Sequence, residues 1–176
     1  MLAMTISEDE AIPATYPTTD GTDWAWQRIE HYVAHRWTTR DVVWVVEGPG
    51  EWVPRLCPAT VETVEEWDGS TYNTVSVSTG RLGGLILPRC GTWRITCEVG
   101  GGTVPDAVMQ AHSRLVAYLA DQEDRAGVTR YDADLGGAIR ESYDRPAAWV
   151  AKALQYSGAA DLLRPYRRAK HALAMA

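Results

Sequence analysis

The sequence predicts an α+β fold, and three observations lead to this prediction. Apolar residues recur at helical spacing in two stretches, about 23–37 and about 104–122. Between them, over about 38–100, β-branched residues and a two-residue alternation predict an antiparallel β-rich insertion. The chain has 176 residues, enough to bury one sizeable core with an appended segment. We therefore expect a small helical core, a sheet inserted into it, and an extended C-terminal arm.

The first segment, residues 1–22, is rich in threonine, proline and acidic residues and contains no lysine or arginine. Such a segment buries too little apolar surface to fold alone, so we predict a flexible acidic arm. The arm has no basic region followed by an apolar run, and the three cysteines of the chain form no CxxC motif. No apolar stretch is long enough to cross a bilayer. These features predict synthesis in a reducing cytoplasm and no membrane partner.

The first helix is predicted over residues 23–37. Trp26, Ile29, Val33 and Trp37 recur at the spacing of one helix face, and an acidic residue stands at the start of the first turn. The change to β-branched residues after this stretch indicates where the helix ends.

Residues 38–100 are expected to form five or six short antiparallel strands. The run DVVWVVE at 41–47 is β-branched and is followed by GPG, and an Asp-Gly turn comes after TVETVEEW. TWRITCEV at 92–99 alternates strictly, which is typical of a strand buried on one side. The apolar face of this last strand consists of Trp93, Ile95, Cys97 and Val99.

A second helix, about 104–122, follows three glycines, and its apolar residues form one stripe. We expect this helix to pack on the last strand. Polar residues 122–137 then predict a loop, and a third helix is predicted over about 138–157, with Gly158 after its end. The residues expected in the core between strand and helix are Trp93, Ile95, Val99, Val108, Leu115 and Leu119.

The chain ends in a basic segment, although the protein as a whole carries a net charge of −6. Pro165 disfavours a helical conformation of the preceding residue, so the chain is expected to turn there and leave the core. The predicted division is therefore a flexible arm at 1–22, a core at 23–124, a loop and helix at 125–157, and a basic arm at 158–176.

The sequence offers no catalytic constellation that we consider convincing. His31 and His35 are four residues apart, but the metalloprotease motif requires a glutamate after the first histidine, and Tyr32 occupies that place. The sequence GGGTVPD lacks the lysine of a phosphate-binding loop, and Cys97 belongs to an apolar strand face. We therefore predict no enzymatic activity, no cofactor and no bound metal, and keep a metal-dependent hydrolase on His31 and His35 as a weak alternative.

Eight tryptophans, eight tyrosines and no phenylalanine make the aromatic composition unusual. Tryptophan and tyrosine are enriched at protein interfaces, which favours an assembling protein. A GC-rich genome, indicated by 15 arginines among the 17 basic residues, is an equally good explanation.

The order of several motifs resembles the phage head–tail connector family, the head-completion adaptors that lie beneath the portal. The matching stretches are RIEHYVAHRWTTRDVVW, with Glu30, Tyr32 and Arg36 at family positions, and then EWVPRLCPATVETVEEWDG, GTWRITCEVGGG, VPDAVMQAHSRLVAYLADQ and DLLRPYRRAK. The resemblance covers about residues 24–124 and 161–168. The longer N-terminal helical portion of the family is replaced by the acidic arm, and 125–157 is longer than in compact members.

This resemblance implies a non-enzymatic structural protein of the virion neck. Copies would form a ring, a dodecamer to match a portal, that extends the DNA channel and docks a tail-side stopper or tail-terminator protein. DNA would pass through without tight binding, so acids such as those at 62–68 or 121–124 are expected on the channel wall. The basic arm would contact the portal through Leu162, Leu163, Arg164, Pro165, Tyr166, Arg167, Arg168 and Lys170.

A nucleic-acid-binding β-barrel is the main alternative, with tryptophan and tyrosine as stacking platforms. Such a domain depends on neutralising phosphates, and residues 38–100 contain five arginines against a larger number of acids. The charge of the predicted sheet therefore argues against this alternative.

Overall fold

The structure is a computed structural model that describes residues 3–120, 130–135, 139–144, 148–167 and 173–175. It confirms the predicted α+β class, since helices and an antiparallel sheet occur in the same chain. The chain divides into two compact units, Met1–Val104 with Pro165–Ala176, and Pro105–Arg164. No helix among the described residues is long and apolar enough to span a membrane.

The first unit is built on a seven-stranded sheet in the order β1-β2-β6-β3-β4, with β5 paired to β6 and β9 paired to β3. All of these pairs are antiparallel except β3 with β9. The predicted β-rich insertion is confirmed, and strands outside it extend the sheet. The strands are β1 Met4–Glu10, β2 Arg40–Trp52, β3 Ala59–Trp67, β4 Tyr72–Thr74, β5 Ser78–Thr79, β6 Leu85–Val99 and β9 Leu173–Met175.

The two long central strands supply most of the core because their apolar residues alternate in register. Val42 and Trp44 on β2 lie opposite Cys97 and Ile95 on β6, and all four are fully buried. Burying a side chain of this size stabilises the fold by roughly 1.5–3 kcal/mol relative to leaving it exposed. The strict alternation in the sequence therefore predicted the buried face of this sheet correctly.

Strand β6 ends at a glycine that no other residue replaces easily. Gly100 has φ +106°, and a Cβ atom at this position would lie 2.3 Å from the carbonyl oxygen of Thr38. Only glycine tolerates both the left-handed backbone and this close approach. The Gly100 N–H donates to the Pro58 carbonyl at 2.9 Å, which holds the end of the strand in place.

Helix α1 covers Asp23–Tyr32, so the predicted helix at 23–37 is too long by five residues. The backbone at Val33 is extended, and the next residues find hydrogen-bond partners on another segment. Arg36 N–H donates to the Cys57 carbonyl and Cys57 N–H donates to the Ala34 carbonyl. Val33 and Trp37 continue the apolar spacing of the helix because both side chains are buried, although they lie beyond its end.

Residues 4–10 form an edge strand, which corrects the prediction of a flexible acidic arm over 1–22. Polar side chains on the inner side of β1 accept hydrogen bonds from buried donors. Trp52 Nε1 donates to Thr5 Oγ1 at 2.9 Å, and Trp44 Nε1 donates to the Glu8 carboxylate at 2.8 Å. The acidic composition predicted disorder, but Thr5 and Glu8 accept hydrogen bonds from indole N–H groups of the core.

The second unit contains α2 (Asp106–Ala120), the hairpin β7 (Arg130–Leu135) and β8 (Ile139–Asp144), α3 (Ala153–Tyr156) and α4 (Ala159–Leu163). The helix predicted over 104–122 is confirmed as α2. Its buried residues include Val108, Ala111 and Leu115, and α2 packs against α4.

The predicted helix over 138–157 is wrong, since Ile139–Asp144 forms a strand and, among the described residues of this range, only Ala153–Tyr156 forms an α-helix. The predicted loop at 122–137 likewise contains β7. The two strands of this hairpin pair antiparallel, with Arg130 in register with Asp144 and Leu135 in register with Ile139.

Five of the six residues predicted in the core are buried, and Leu119 is half-buried. Trp93, Ile95 and Val99 belong to the core of the sheet. Val108 and Leu115 belong to the buried side of α2 in the second unit.

Candidate functional site

The most distinctive chemical feature of the described structure is a network of four buried or half-buried charges in the first unit. Glu30 on α1 accepts two hydrogen bonds from Arg40, each at 2.8 Å. Glu10 on β1 accepts from Arg36 at 2.6 and 3.0 Å and from Arg40 at 3.0 Å. Two guanidinium groups thus neutralise two carboxylates, and the network joins β1, α1 and β2.

Arg36 also completes the end of helix α1. Its Nη1 donates to the backbone carbonyls of Glu30 at 2.7 Å and Val33 at 3.1 Å. The last carbonyls of a helix lack partners within the helix, and a cation there also interacts favourably with the helix dipole. The position of Arg36 four residues beyond Tyr32, the last residue of α1, therefore explains how the chain leaves the helix without leaving these carbonyls unpaired.

The arginines determine the ionisation of Glu10. Burial raises the pKa of this carboxyl, but hydrogen bonds and positive charges from Arg36 and Arg40 outweigh burial and hold the pKa below its ordinary value of 4.5. Because the folded-state pKa lies below the unfolded one, ionised Glu10 stabilises the fold above the unfolded value. That stabilisation is lost as the pH falls through the folded-state pKa.

We expect Glu10→Gln to lower the free energy of unfolding by about 2 kcal/mol at pH 7, because both arginines lose a charged acceptor. We also expect the difference from the unmodified chain to shrink as the pH falls below the ordinary carboxyl pKa of 4.5, and to disappear once the pH is below the lowered folded-state pKa of Glu10. Urea unfolding from pH 7 to pH 3 measures this convergence. Glu47→Gln, at an exposed carboxylate, is the matched control and should change little. Stability curves that stay parallel over the whole pH range would contradict the assignment.

A cavity of about 320 Å³ lies beside this network and is lined by Tyr16, His31 and the four charged residues among others. The Arg40 guanidinium lies 6.0 Å from the centre of the Tyr16 ring. Since Arg36 and Arg40 already donate to Glu10, Glu30 and nearby carbonyls, the cavity has little unused hydrogen-bonding capacity. The network is therefore a structural element of the unit.

A larger cleft of about 680 Å³ shares part of this lining. Its walls include exposed Arg55 and Arg167 together with Tyr32, His31 and Glu8. Neither arginine has a carboxylate partner within the described part of the chain. The cleft thus presents two guanidinium groups that are free to meet an anionic group.

Arg167 is held at the cleft by the C-terminal segment. Its guanidinium lies 4.7 Å from the centre of the Tyr32 ring, a cation–π arrangement. One residue earlier, the Tyr166 carbonyl accepts from Ala34 N–H at 2.9 Å, and the Tyr166 ring meets His35 and Trp37 edge to face. Residues 166 and 167 are therefore part of the first unit.

The prediction that 161–176 leave the core is thus corrected for the residues that the structure describes. Leu163 is fully buried at the end of α4, and a 3-10 helix follows at Arg164–Tyr166. Leu163 before Pro165 is buried, and Tyr166 after it packs on Trp37. The turn at Pro165 therefore does not lead the described residues away from the chain. Leu162 and Tyr166 are half-buried, Arg164, Pro165 and Arg167 are exposed, and Arg168 and Lys170 lie outside the described residues.

The two histidines once considered for a metal do not lie together on a helix. His31 is exposed on α1, while His35 lies beyond its end and pairs with Cys57 as an isolated parallel bridge. The His35 Nδ1 and Cys57 Sγ atoms are 3.7 Å apart. No group of three or more potential metal ligands occurs among the residues described. Cys97 is fully buried, and burial raises the pKa of its thiol to about 12, as befits a core residue.

Most of the acids at 62–68 that were expected on a channel wall have local partners. Glu65 forms a paired contact with Arg94 at 2.6 and 2.8 Å, and Glu66 pairs with Arg89. Asp68 accepts from the backbone N–H groups of Ser70 and Thr71, which holds its pKa far below the usual range. Glu62 is exposed and has no ion-pair partner in the described ranges. Residues 121–124 lie outside those ranges.

Most of the tryptophans lie in the core, although the sequence analysis associated them with an interface. Five of the eight tryptophans are buried, so the core accounts for most of the unusual composition. The exposed exceptions include Trp67, whose ring lies 5.0 Å from that of Tyr72 beside the turn joining β3 and β4. The buried tryptophans are Trp26, Trp37, Trp44, Trp52 and Trp93.

Sequence reasoning noticed Glu30 and Arg36 only as parts of a motif and overlooked Glu10 and Arg40. One signal was available, since Glu30 follows Trp26 by four residues and must share the buried face of α1. A carboxylate on a buried face requires a cationic partner. That partner is Arg40 on β2, ten residues further along the chain, and no local pattern identifies it.

Comparison of the chain with protein-family models, curated proteins and solved structures found no match.

Proposed function

We propose that the chain is a structural head–tail adaptor of a tailed phage or phage-like particle. Copies form a ring beneath the portal, a dodecamer where the portal has twelve subunits, and the ring extends the DNA channel toward a tail-side stopper or terminator protein. The protein acts by presenting surfaces and has no catalytic role. Its place is the neck of the virion.

One observation carries this proposal: the sequence motifs that resemble connector proteins meet in space although about 130 residues separate them. RIEHYVAHRW supplies Tyr32, Ala34 and the rings of His35 and Trp37, and LLRPYR supplies Tyr166 and Arg167. Unrelated short matches have no reason to pack together. Their contact supports reading them as parts of one inherited structural unit.

The local structure also refines which residues are available to a portal. Leu163 is buried and Tyr166 packs on Trp37, so these two hold the segment to its own chain. Arg164 and Arg167 are exposed, and a guanidinium can bind a carboxylate through two parallel hydrogen bonds. We assign the contact with acidic portal groups to these exposed arginines.

We expect the double substitution Arg164→Glu and Arg167→Glu to weaken attachment to the portal at least tenfold without lowering the melting temperature. The reversed charges would face acidic portal groups, while exposed substitutions cost little stability. Co-sedimentation with the portal protein of the same genome, followed by electron microscopy, measures attachment and ring formation. Arg81→Glu, at an exposed arginine of the β5–β6 connection, is the matched control.

An unmodified chain that never joins the portal would refute the adaptor assignment. Tight binding to duplex DNA with a steep salt dependence would favour a nucleic-acid-binding domain. The burial of five tryptophans speaks against that second function, because side chains inside the core cannot stack on bases.

A further inference from the structure

The cleft of about 680 Å³ contains a second exposed cation, Arg55, to which the proposed function gives no role. All residues of its lining belong to the first unit. Its volume lies within the range of about 300–1,000 Å³ that is typical of ligand sites. Neither Arg55 nor Arg167 forms an ion pair with a carboxylate in the described ranges. Two guanidinium groups at this cleft can therefore bind a ligand.

Backbone hydrogen bonds of a single residue, Ala34, connect the two segments that carry these arginines. The Ala34 N–H donates to the carbonyl of Tyr166, the residue before Arg167, at 2.9 Å. The Ala34 carbonyl accepts from the N–H of Cys57, two residues after Arg55, at 3.0 Å. The backbone at both arginines is thus set before any ligand arrives, which lowers the entropy cost of binding.

Arg167 is oriented in a way that leaves its donors unused. Its guanidinium lies over the Tyr32 ring at 4.7 Å from the ring centre, and this contact involves the face of the planar group. The N–H donors of a guanidinium lie in its plane, where they match the two oxygens of a carboxylate. Arg167 can therefore keep its aromatic contact and bind a carboxylate at the same time.

The balance of charge favours a single carboxylate as the ligand group. The four charges of the buried network compensate each other, which leaves Arg55, Arg167 and one anion, Glu8, in the lining. Glu8 keeps its charge at the cleft, because its hydrogen-bond donor is the neutral indole of Trp44. A phosphate carries about two negative charges at neutral pH and would be repelled by Glu8. One carboxylate neutralises the excess of one positive charge.

The remainder of the lining is apolar. Val53 and Ala34 are half-buried there, and Val33, Pro54 and Leu56 are buried behind them. Apolar surface of this kind is covered favourably by apolar side chains of a ligand. A carboxylate with apolar neighbours, as in a peptide, fits this lining better than a free small anion does.

We propose that this cleft binds a segment of the portal in which one aspartate or glutamate is flanked by apolar side chains. Arg55 and Arg167 bind the carboxylate, Tyr32 holds Arg167 in position, and Val53 and Ala34 contact the flanking side chains. The inference rests on the proposed function for the identity of the partner. The chemistry of the ligand follows from the cleft itself.

A labelled octapeptide with capped ends and one glutamate between leucine and valine tests the cleft without a portal. We expect saturable binding to the full-length chain by fluorescence anisotropy, with shifts of the Arg55 and Arg167 Nε–H signals in nuclear magnetic resonance spectra. The same peptide with glutamine should bind about tenfold more weakly, because hydrogen bonds to a charged acceptor are stronger. Arg55→Ala should weaken binding of the glutamate peptide about tenfold. Arg81→Ala, at an exposed arginine outside the cleft, is the matched control and should change nothing.

Two variants of Tyr32 test whether the ring positions Arg167. Tyr32→Leu should weaken binding of the glutamate peptide about two- to fivefold, because the cation–π contact is lost. Tyr32→Phe keeps an aromatic ring beneath the guanidinium and should restore binding. Melting curves of each variant show whether the fold is retained. Equal weakening by leucine and phenylalanine would overturn the role of the ring.

Equal binding of the glutamate and glutamine peptides, or binding unaffected by Arg55→Ala, would overturn the proposal. Inorganic phosphate that displaces the peptide at equal concentration would overturn the preference for a carboxylate. Portal attachment is measured separately with the Arg55→Ala chain. Normal attachment of this chain together with lost peptide binding would refute the portal as occupant and leave the adaptor function standing. Peptide binding by an unmodified chain that never joins the portal would refute the adaptor function and keep the carboxylate site.

Discussion

Arg40→Ala is expected to lower the free energy of unfolding of the first unit by about 3–5 kcal/mol. The guanidinium is almost fully buried and donates to Glu30 and Glu10, so its removal leaves Glu30 buried without its only ion-pair partner in the described structure. A buried carboxylate that loses its cation keeps the cost of desolvation and loses the compensating attraction. The effect should therefore exceed that of removing any exposed charge.

Urea unfolding followed by tryptophan fluorescence measures this loss well. Seven of the eight tryptophans lie in Met1–Val104, so the signal reports mainly on the first unit. Arg81→Ala is the matched control, since Arg81 is exposed and has no ion pair in the described residues, and it should change stability by less than about 0.5 kcal/mol. The double variant Arg40→Met with Glu30→Gln should recover part of the loss, because it removes both charges. A loss below about 1 kcal/mol for Arg40→Ala would contradict a structural role for the network.

Trp44→Ala is expected to cost about 3–5 kcal/mol. Trp44 is fully buried in the centre of β2, and its ring meets that of Trp52 edge to face at 5.3 Å. The substitution removes the largest of the side chains and leaves a cavity in the core. It also removes the indole N–H that holds Glu8, and with it one attachment of the edge strand β1.

Trp67→Ala is the matched control for this prediction. Trp67 lies in the same sheet but is 40% exposed, so its loss should cost less than about 1 kcal/mol. Trp44→Phe serves if the alanine variant does not fold, because phenylalanine keeps most of the apolar volume and loses the hydrogen bond to Glu8. We expect Trp44→Phe to speed hydrogen exchange in residues 4–10 while the rest of the sheet changes little. Equal losses for Trp44→Ala and Trp67→Ala would refute the assignment of Trp44 to the core.

The candidate site was only partly predictable because its two halves come from opposite ends of the chain. The motif around Glu30 and Arg36 drew attention, but only the folded chain shows that their charged partners are Arg40 and Glu10. The sequence predicts Leu162, Leu163 and Tyr166 of the C-terminal LLRPYR as anchors on a portal, whereas Leu163 is buried within the chain. Tyr166 finds apolar surface on Trp37 and His35 of its own chain, and intramolecular contacts form without the entropy cost of association.

The amino-acid sequence by itself determined the elements whose signal is local. The alternation of TWRITCEV set the buried face of β6, the apolar stripe after three glycines set α2, and Gly100 marked the end of the strand. These patterns suffice because the period of side chains along a strand or a helix depends on neighbouring residues alone. Tertiary structure alone decided the rest. It ended α1 at Tyr32 by offering Cys57 as a backbone partner, and it turned the acidic start into an edge strand by supplying indole and guanidinium donors. In both cases, a polar group found its partner far away in the sequence, and composition and spacing contain no information about such distant pairs.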